Sequence, residues 1–154
     1  MNQNELDLYI ELQPKLNEYR GEWQVGDKWG KKDGSVTGCV NHENIDTFNH
    51  LITYKEYYIW LPLPIDSQDP ERIAREEKPR GLWGMLTSSY KELSFDLSNG
   101  PIETYSLRFY IANSWRVVKA KTPTEALLLC LKEQWKPVEN MMGRVTKDTI
   151  IIGR

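Results

Sequence analysis

Apolar residues recur along this chain with two different periods, and the changes of period mark out its elements. From Asn4 to Tyr19, Leu8, Leu12, Leu16 and Tyr19 return every three or four residues, the spacing of one helical face, with Asn4 as cap and Asp7 in the first turn. Pro14 lies inside this stretch, where its ring opposes the carbonyl of Ile10, so a kink or two short helices are expected. After Gly21 the period shortens. Glu22–Val25 and Ser35–Val40 have the β-branched and aromatic content of strands, and Asp33-Gly34 between them signals a tight turn. This predicts a hairpin with an exposed, lysine-bearing tip. A short helix over Asn44–Ile52 turns Ile45, Phe48 and Ile52 inward, and Lys55–Leu61 alternates as a strand until Pro62 and Pro64 end it.

Residues 65–80 are the most polar part of the chain. Asp69-Pro70 is a good helix start, but the helix it opens, Glu71–Lys78, has little apolar face, which predicts a solvated excursion. Leu82, Trp83, Met85 and Leu86 then form a short apolar helix or turn, loosened by Gly81 and Gly84. Strands follow at Glu92–Leu97, Glu103–Ile111 and Trp115–Ala120, with Tyr105, Leu107, Phe109 and Ile111 on one face. Thr122-Pro-Thr-Glu125 is a capping box that starts the helix Pro123–Trp135, whose Leu127, Leu128 and Leu131 face the core. The tail, residues 137–154, regains strand character at Thr149–Ile152, as an edge strand or a partner contact. No repeat or linker interrupts the chain. The reading is one α+β domain over residues 1–154, mainly antiparallel, with an N-terminal helix and a C-terminal helix after a β-hairpin.

Composition narrows the classes. A chain of 154 residues, 40% apolar and 27% charged, has ordinary globular make-up and is long enough to bury a core. Its net charge of −2 argues against a general nucleic-acid binder while leaving room for a local basic patch. No apolar run approaches the roughly 18–20 residues that span a bilayer, so no membrane association is expected. The opening Met1–Asp7 is polar and acidic, unlike a secretory signal, and the two cysteines lie far apart; both point to a reducing cytoplasm. Six Trp and eight Tyr supply a core or interface anchors. Trp29, in the glycine- and lysine-rich hairpin tip, and Trp83, between glycines, are the ones expected to be exposed and to bind a partner.

No catalytic motif or cofactor cradle is present, so the expectation is a non-enzyme without a cofactor. Cys39, His42 and His50 are weak zinc-ligand candidates, with Cys130 as a fourth, but their spacing matches no standard finger, and Asp46 and His50 suit a surface pair equally well. Cys39 with His42 lacks an oxyanion hole and an orienting carboxylate. Asp66, Asp69, Glu71, Glu76 and Glu77 suit a solvated face. Between Thr104 and Thr124 stand Arg108, Arg116, Lys119 and Lys121, and no acidic residue. Arg108, Tyr110, Arg116 and Lys119 therefore form a candidate nucleic-acid interface, against the plainer reading of an ordinary solvated sheet face.

Four short motifs, Trp23-Gln-Val-Gly-Asp27, Ile59-Trp-Leu-Pro62, Leu82-Trp-Gly-Met-Leu86 and Thr122-Pro-Thr-Glu-Ala-Leu-Leu-Leu-Cys-Leu131, span about residues 21–135. In this order the chain resembles a loosely defined group of small phage and prophage proteins of unknown function. It departs from them in its acidic 65–80 insertion and its N-terminal helix. The resemblance implies a mobile-element gene expressed in a bacterial cytosol, and it transfers no active site. Residues 103–135 are also similar to antitoxins of the HicB type, in which a strand pair runs into a helix opened by Thr-Pro-x-Glu-Ala-Leu, though no DNA-binding appendage is evident here. The leading expectation is a non-enzymatic module that binds or inhibits a host protein. The alternative is a nucleic-acid-binding regulator.

Overall fold

Asn2 opens the first helix: its side chain accepts the Glu5 N–H at 2.8 Å, two residues ahead of the expected cap at Asn4. The computed structural model describes residues 1–50, 57–89, 93–98, 104–111, 114–135 and 150–153, which gather into two compact units, Met1–Leu63 and Pro64–Arg154. The α+β class and the predominance of antiparallel pairing hold as read from the sequence. Among the described residues no helix is long and apolar enough to cross a membrane.

In the first unit, helix α1 (Gln3–Arg20) runs through Pro14 without a break, contrary to the expected division. Tertiary contacts override the local penalty. Leu8, Leu12 and Leu16 are buried on both sides of the proline, and Gln13 clips onto strand β3 (Tyr58–Trp60). Its amide donates to the Trp60 carbonyl at 2.8 Å and accepts the Trp60 N–H at 3.1 Å, standing in for a neighbouring strand. Tyr9 adds a bond from its hydroxyl to the Pro62 carbonyl, and burial, with Glu5 nearby, pushes that phenol far above its ordinary pKa.

The first strand lies later than the alternation suggested. Gly26, at φ 96°, turns the chain, and the Asp27 carboxylate accepts the Gln24 N–H, so Glu22–Val25 is not a strand. Pairing begins in the glycine- and lysine-rich stretch itself, with β1 (Lys28–Lys31) between β2 (Thr37–Cys39) and β3 in an antiparallel sheet of order β2-β1-β3. The Asp33-Gly34 turn is as expected: Gly34 sits at φ 77°, and Asp33 accepts from the Ser35 N–H and hydroxyl, which hold its carboxyl below the usual range. Helix α2 (Ile45–His50) is opened by Asn41 and Asn44, each accepting the other's N–H, and buries Phe48. Ile52 and the start of the expected Lys55–Leu61 strand lie outside the described residues.

In the second unit, α3 (Asp69–Ala74) and α4 (Leu82–Ser89) precede a sheet of order β4-β5-β6-β7. Strands β4 (Leu93–Ser98), β5 (Thr104–Ile111) and β6 (Ser114–Ala120) are antiparallel, and β7 (Ile150–Gly153) joins β6 in parallel at the edge. Helix α5 (Pro123–Gln134) starts where the capping motif predicts, with the Thr122 hydroxyl accepting the Glu125 N–H at 3.1 Å. It packs on β5, β6 and α4, and Ala126 through Leu131 are all buried, as suits a helix enclosed by neighbours on several sides. The opening of the tail, 137–149, lies outside the described residues.

Candidate functional site: a groove between two helices and an open sheet face

The polar 65–80 stretch is mostly exposed, but its buried Asp69, Arg72 and Arg80 tie it into a built structure. Asp69 does not cap its own helix: its carboxylate reaches forward to the N–H groups of Arg80 and Gly81, at 2.8 and 2.9 Å, where α4 begins. Those donors have no intrahelical partner, so a buried carboxylate at that terminus both satisfies them and meets the positive end of the helix. Arg72 closes the knot with hydrogen bonds to Asp66, Asp69 and Gln68. Burial disfavours its charged form, but the bonds to the two carboxylates more than compensate, so the pKa of Arg72 lies above the ordinary value. Gly81 and Gly84, expected to loosen α4, instead let Asp69 in. A Cβ on Gly84 would stand 2.5 Å from Asp69 Oδ2 and 2.6 Å from Pro79 Cβ.

This knot fixes the floor of a groove between α3 and α4. It encloses about 460 Å³ and is lined by Ile65, Pro70, Ile73, Trp83 and Thr87, with Asp66 and Asp69 beneath. Ile65 is 74% and Ile73 50% exposed, high values for branched aliphatic side chains. Trp83 is half-buried in the wall, and its N–H donates to the Pro64 carbonyl. Of the two tryptophans expected at a partner surface, Trp83 thus lines a groove. Trp29 does not occupy a hairpin tip. It is half-buried in the central strand β1, its ring against Phe48 and Tyr58 and over Gly38, where a Cβ would stand 2.6 Å from Trp29 Cζ2. Its indole N–H is buried without an acceptor among the described residues.

The basic sheet residues separate onto two faces. Arg116 is buried, on the side covered by α5, and pairs with Glu133 at 3.1 Å, with side chains 8% and 4% exposed. It therefore leaves the expected surface set, because alternation along β6 sends it the opposite way from Lys119. Arg108 and Lys119 are exposed and Tyr110 is 40% exposed, as expected. The register adds Trp115, which the sequence reading missed. It stands directly opposite Tyr110, their rings 5.3 Å apart, and the Arg108 guanidinium lies 4.8 Å over its ring. A strand-parity test would have paired Trp115 with Lys119, but the cross-strand neighbour follows only from the register.

The thiol and imidazole candidates do not converge. Cys39, His42 and His50 are exposed, and among the described residues no group of three or more His, Cys, Asp or Glu side chains could hold a metal. Cys130 is buried inside α5, where burial, with Glu133 nearby, pushes its thiol far above the ordinary pKa. No family model, curated protein or solved structure matches the chain.

Proposed function

We propose that the chain is a non-enzymatic interaction module that acts in the cytoplasm of a bacterial host, as a phage accessory protein, and docks a host protein in the α3–α4 groove. The observation that supports this reading is the pairing of a rigid polar floor with exposed Ile65 and Ile73 and the half-buried Trp83. Preformed apolar clefts of this kind receive an anchor side chain without an ordering cost in the surface that receives it. The occupant is a segment inserting one apolar side chain, with a cation beside it to meet the exposed Glu71 in the first turn of α3.

The test is a pull-down of tagged full-length chain from bacterial lysate, quantified by mass spectrometry, for the wild type, Trp83→Ala and Ile73→Asp. One stoichiometric protein is expected with the wild type. Removing an anchor costs about 2 kcal/mol, or roughly thirtyfold in affinity, so both variants should lose it while their thermal melts show a folded chain. The absence of a stoichiometric protein, or a partner retained by both variants, would overturn the proposal.

A further inference from the structure

We propose that the face of β5 and β6 turned away from α5 binds single-stranded nucleic acid, at a site separate from the α3–α4 groove. Helix α5 covers one side of β5 and β6, and the other side presents Arg108 and Tyr110 from β5 with Trp115, Val117 and Lys119 from β6. The register sets these in rows: Tyr110 opposite Trp115, Arg108 opposite Val117, Ser106 opposite Lys119. Alternate residues of a strand lie about 6.8 Å apart, so the rows follow one another at a spacing comparable to that of phosphates along an extended strand.

Each row has a part that suits such a ligand. The exposed ring of Tyr110, braced edge-on by Trp115, offers a π-face to a base. Arg108 and Lys119, one and two rows on, meet the phosphates that follow it. The described side chains of this face carry two cations and no carboxylate, which complements a polyanion within a chain of net charge −2. Asp96 of β4 pairs with Ser106, which pairs with Lys119, so it stands in the Lys119 row, two rows from Tyr110 and Trp115. A stacking surface selects unpaired bases, because in a duplex both faces of each base are already covered by its neighbours.

Fluorescence anisotropy of the full chain with labelled oligo-dT and oligo-U of about a dozen nucleotides tests this, with a mixed-sequence duplex and a poly-glutamate peptide as competitors. Micromolar binding of the single strands is expected. Two phosphate contacts should give a slope of about −1.4 in log K against log salt, a roughly sevenfold loss between 50 and 200 mM. Tyr110→Ala should weaken binding about tenfold, and Lys119→Glu at least as much. Arg108→Ala should cut the salt slope by about half, and Trp83→Ala should bind like the wild type. All three sheet positions are exposed or half-exposed, and circular dichroism verifies the folding of each variant. Absence of saturable binding, equal or tighter binding of the duplex or the acidic peptide, or wild-type affinity in both Tyr110→Ala and Lys119→Glu would overturn the proposal.

Discussion

Trp29 and Trp83 each stand beside a glycine, Trp29 within a polar stretch and Trp83 just after one, yet the two regions use their glycines differently. In the β1–β2 hairpin, Gly38 makes room for an aromatic ring laid across the neighbouring strand, and Trp29 becomes part of a cluster with Phe48 and Tyr58. In the α3–α4 region, Gly81 and Gly84 make room for a carboxylate, and Trp83 is left in the wall of a groove. A glycine that admits a ring gives that ring packing partners, though Trp29 stays half-buried. One that admits an acid anchors the backbone, and Trp83 stays half-buried in the groove wall while Leu82, Met85 and Leu86 enter the core.

The comparison breaks most sharply at Asp69. Its replacement by Ala leaves two buried N–H groups unpaired and removes one of the carboxylates that neutralise Arg72. A loss of about 3–5 kcal/mol is expected in urea denaturation, since each buried unsatisfied donor costs about 1–3 kcal/mol. No single position of the hairpin holds so many buried polar groups. A loss under about 1 kcal/mol would mean that the knot does not organise the groove.

The tryptophans themselves come next. Trp29→Ala removes a ring packed against Phe48, Tyr58 and Gly38, and should cost about 3–4 kcal/mol. Trp83→Ala empties one wall of a groove already open to solvent and should cost about 1 kcal/mol. Parallel thermal melts decide it: equal losses would show that the two rings do the same structural work and would remove the reason to single out Trp83.

How far this was legible follows from the range of each interaction. The Thr122–Glu125 cap, the Asp33-Gly34 turn and the inward Leu107 and Phe109 depend on neighbours within a few residues, and they lie where the pattern put them. Asp69 bonds backbone groups 11 and 12 residues on, which no side-chain spacing reports. Pro14 carries a local penalty that its neighbours in sequence report, whereas Gln13 and Tyr9 hold the helix through groups 47 and 53 residues away. The open sheet face was half legible. Parity alone separates Arg116 from Lys119, but only the register brings Trp115 against Tyr110, and only the fold brings Glu133 to Arg116.

Adding a Cβ to each glycine sharpens the contrast at a smaller scale. Gly84→Ala drives a methyl into Asp69 and Pro79, both held in place, and should cost about 2–3 kcal/mol. Gly38→Ala meets a ring that can lift toward solvent, so about 1–2 kcal/mol is expected, with a change in Trp29 fluorescence. Near-ultraviolet dichroism separates the cases, because Gly38→Ala must alter the aromatic signal of the first unit and Gly84→Ala need not.

The smallest effect has the opposite sign. Helix α3 ends with the Glu77 N–H bonded to the Arg72 carbonyl and the Glu76 N–H bonded to that of Ile73, a Schellman closure whose left-handed position, usually glycine, holds Glu76 at φ 61°. A side chain with a Cβ pays about 1–2 kcal/mol for that conformation. Glycine avoids the penalty but gives up part of the gain to the greater freedom of its unfolded chain. Glu76→Gly should therefore stabilise the chain by about 0.5–1 kcal/mol, raising the urea midpoint without changing the slope. Glu76 is exposed and is absent from the groove lining, so partner capture should be unchanged. Destabilisation instead would mean that α3 does not close in this way, and the groove would then lack the fixed helix on which its contrast with the hairpin rests.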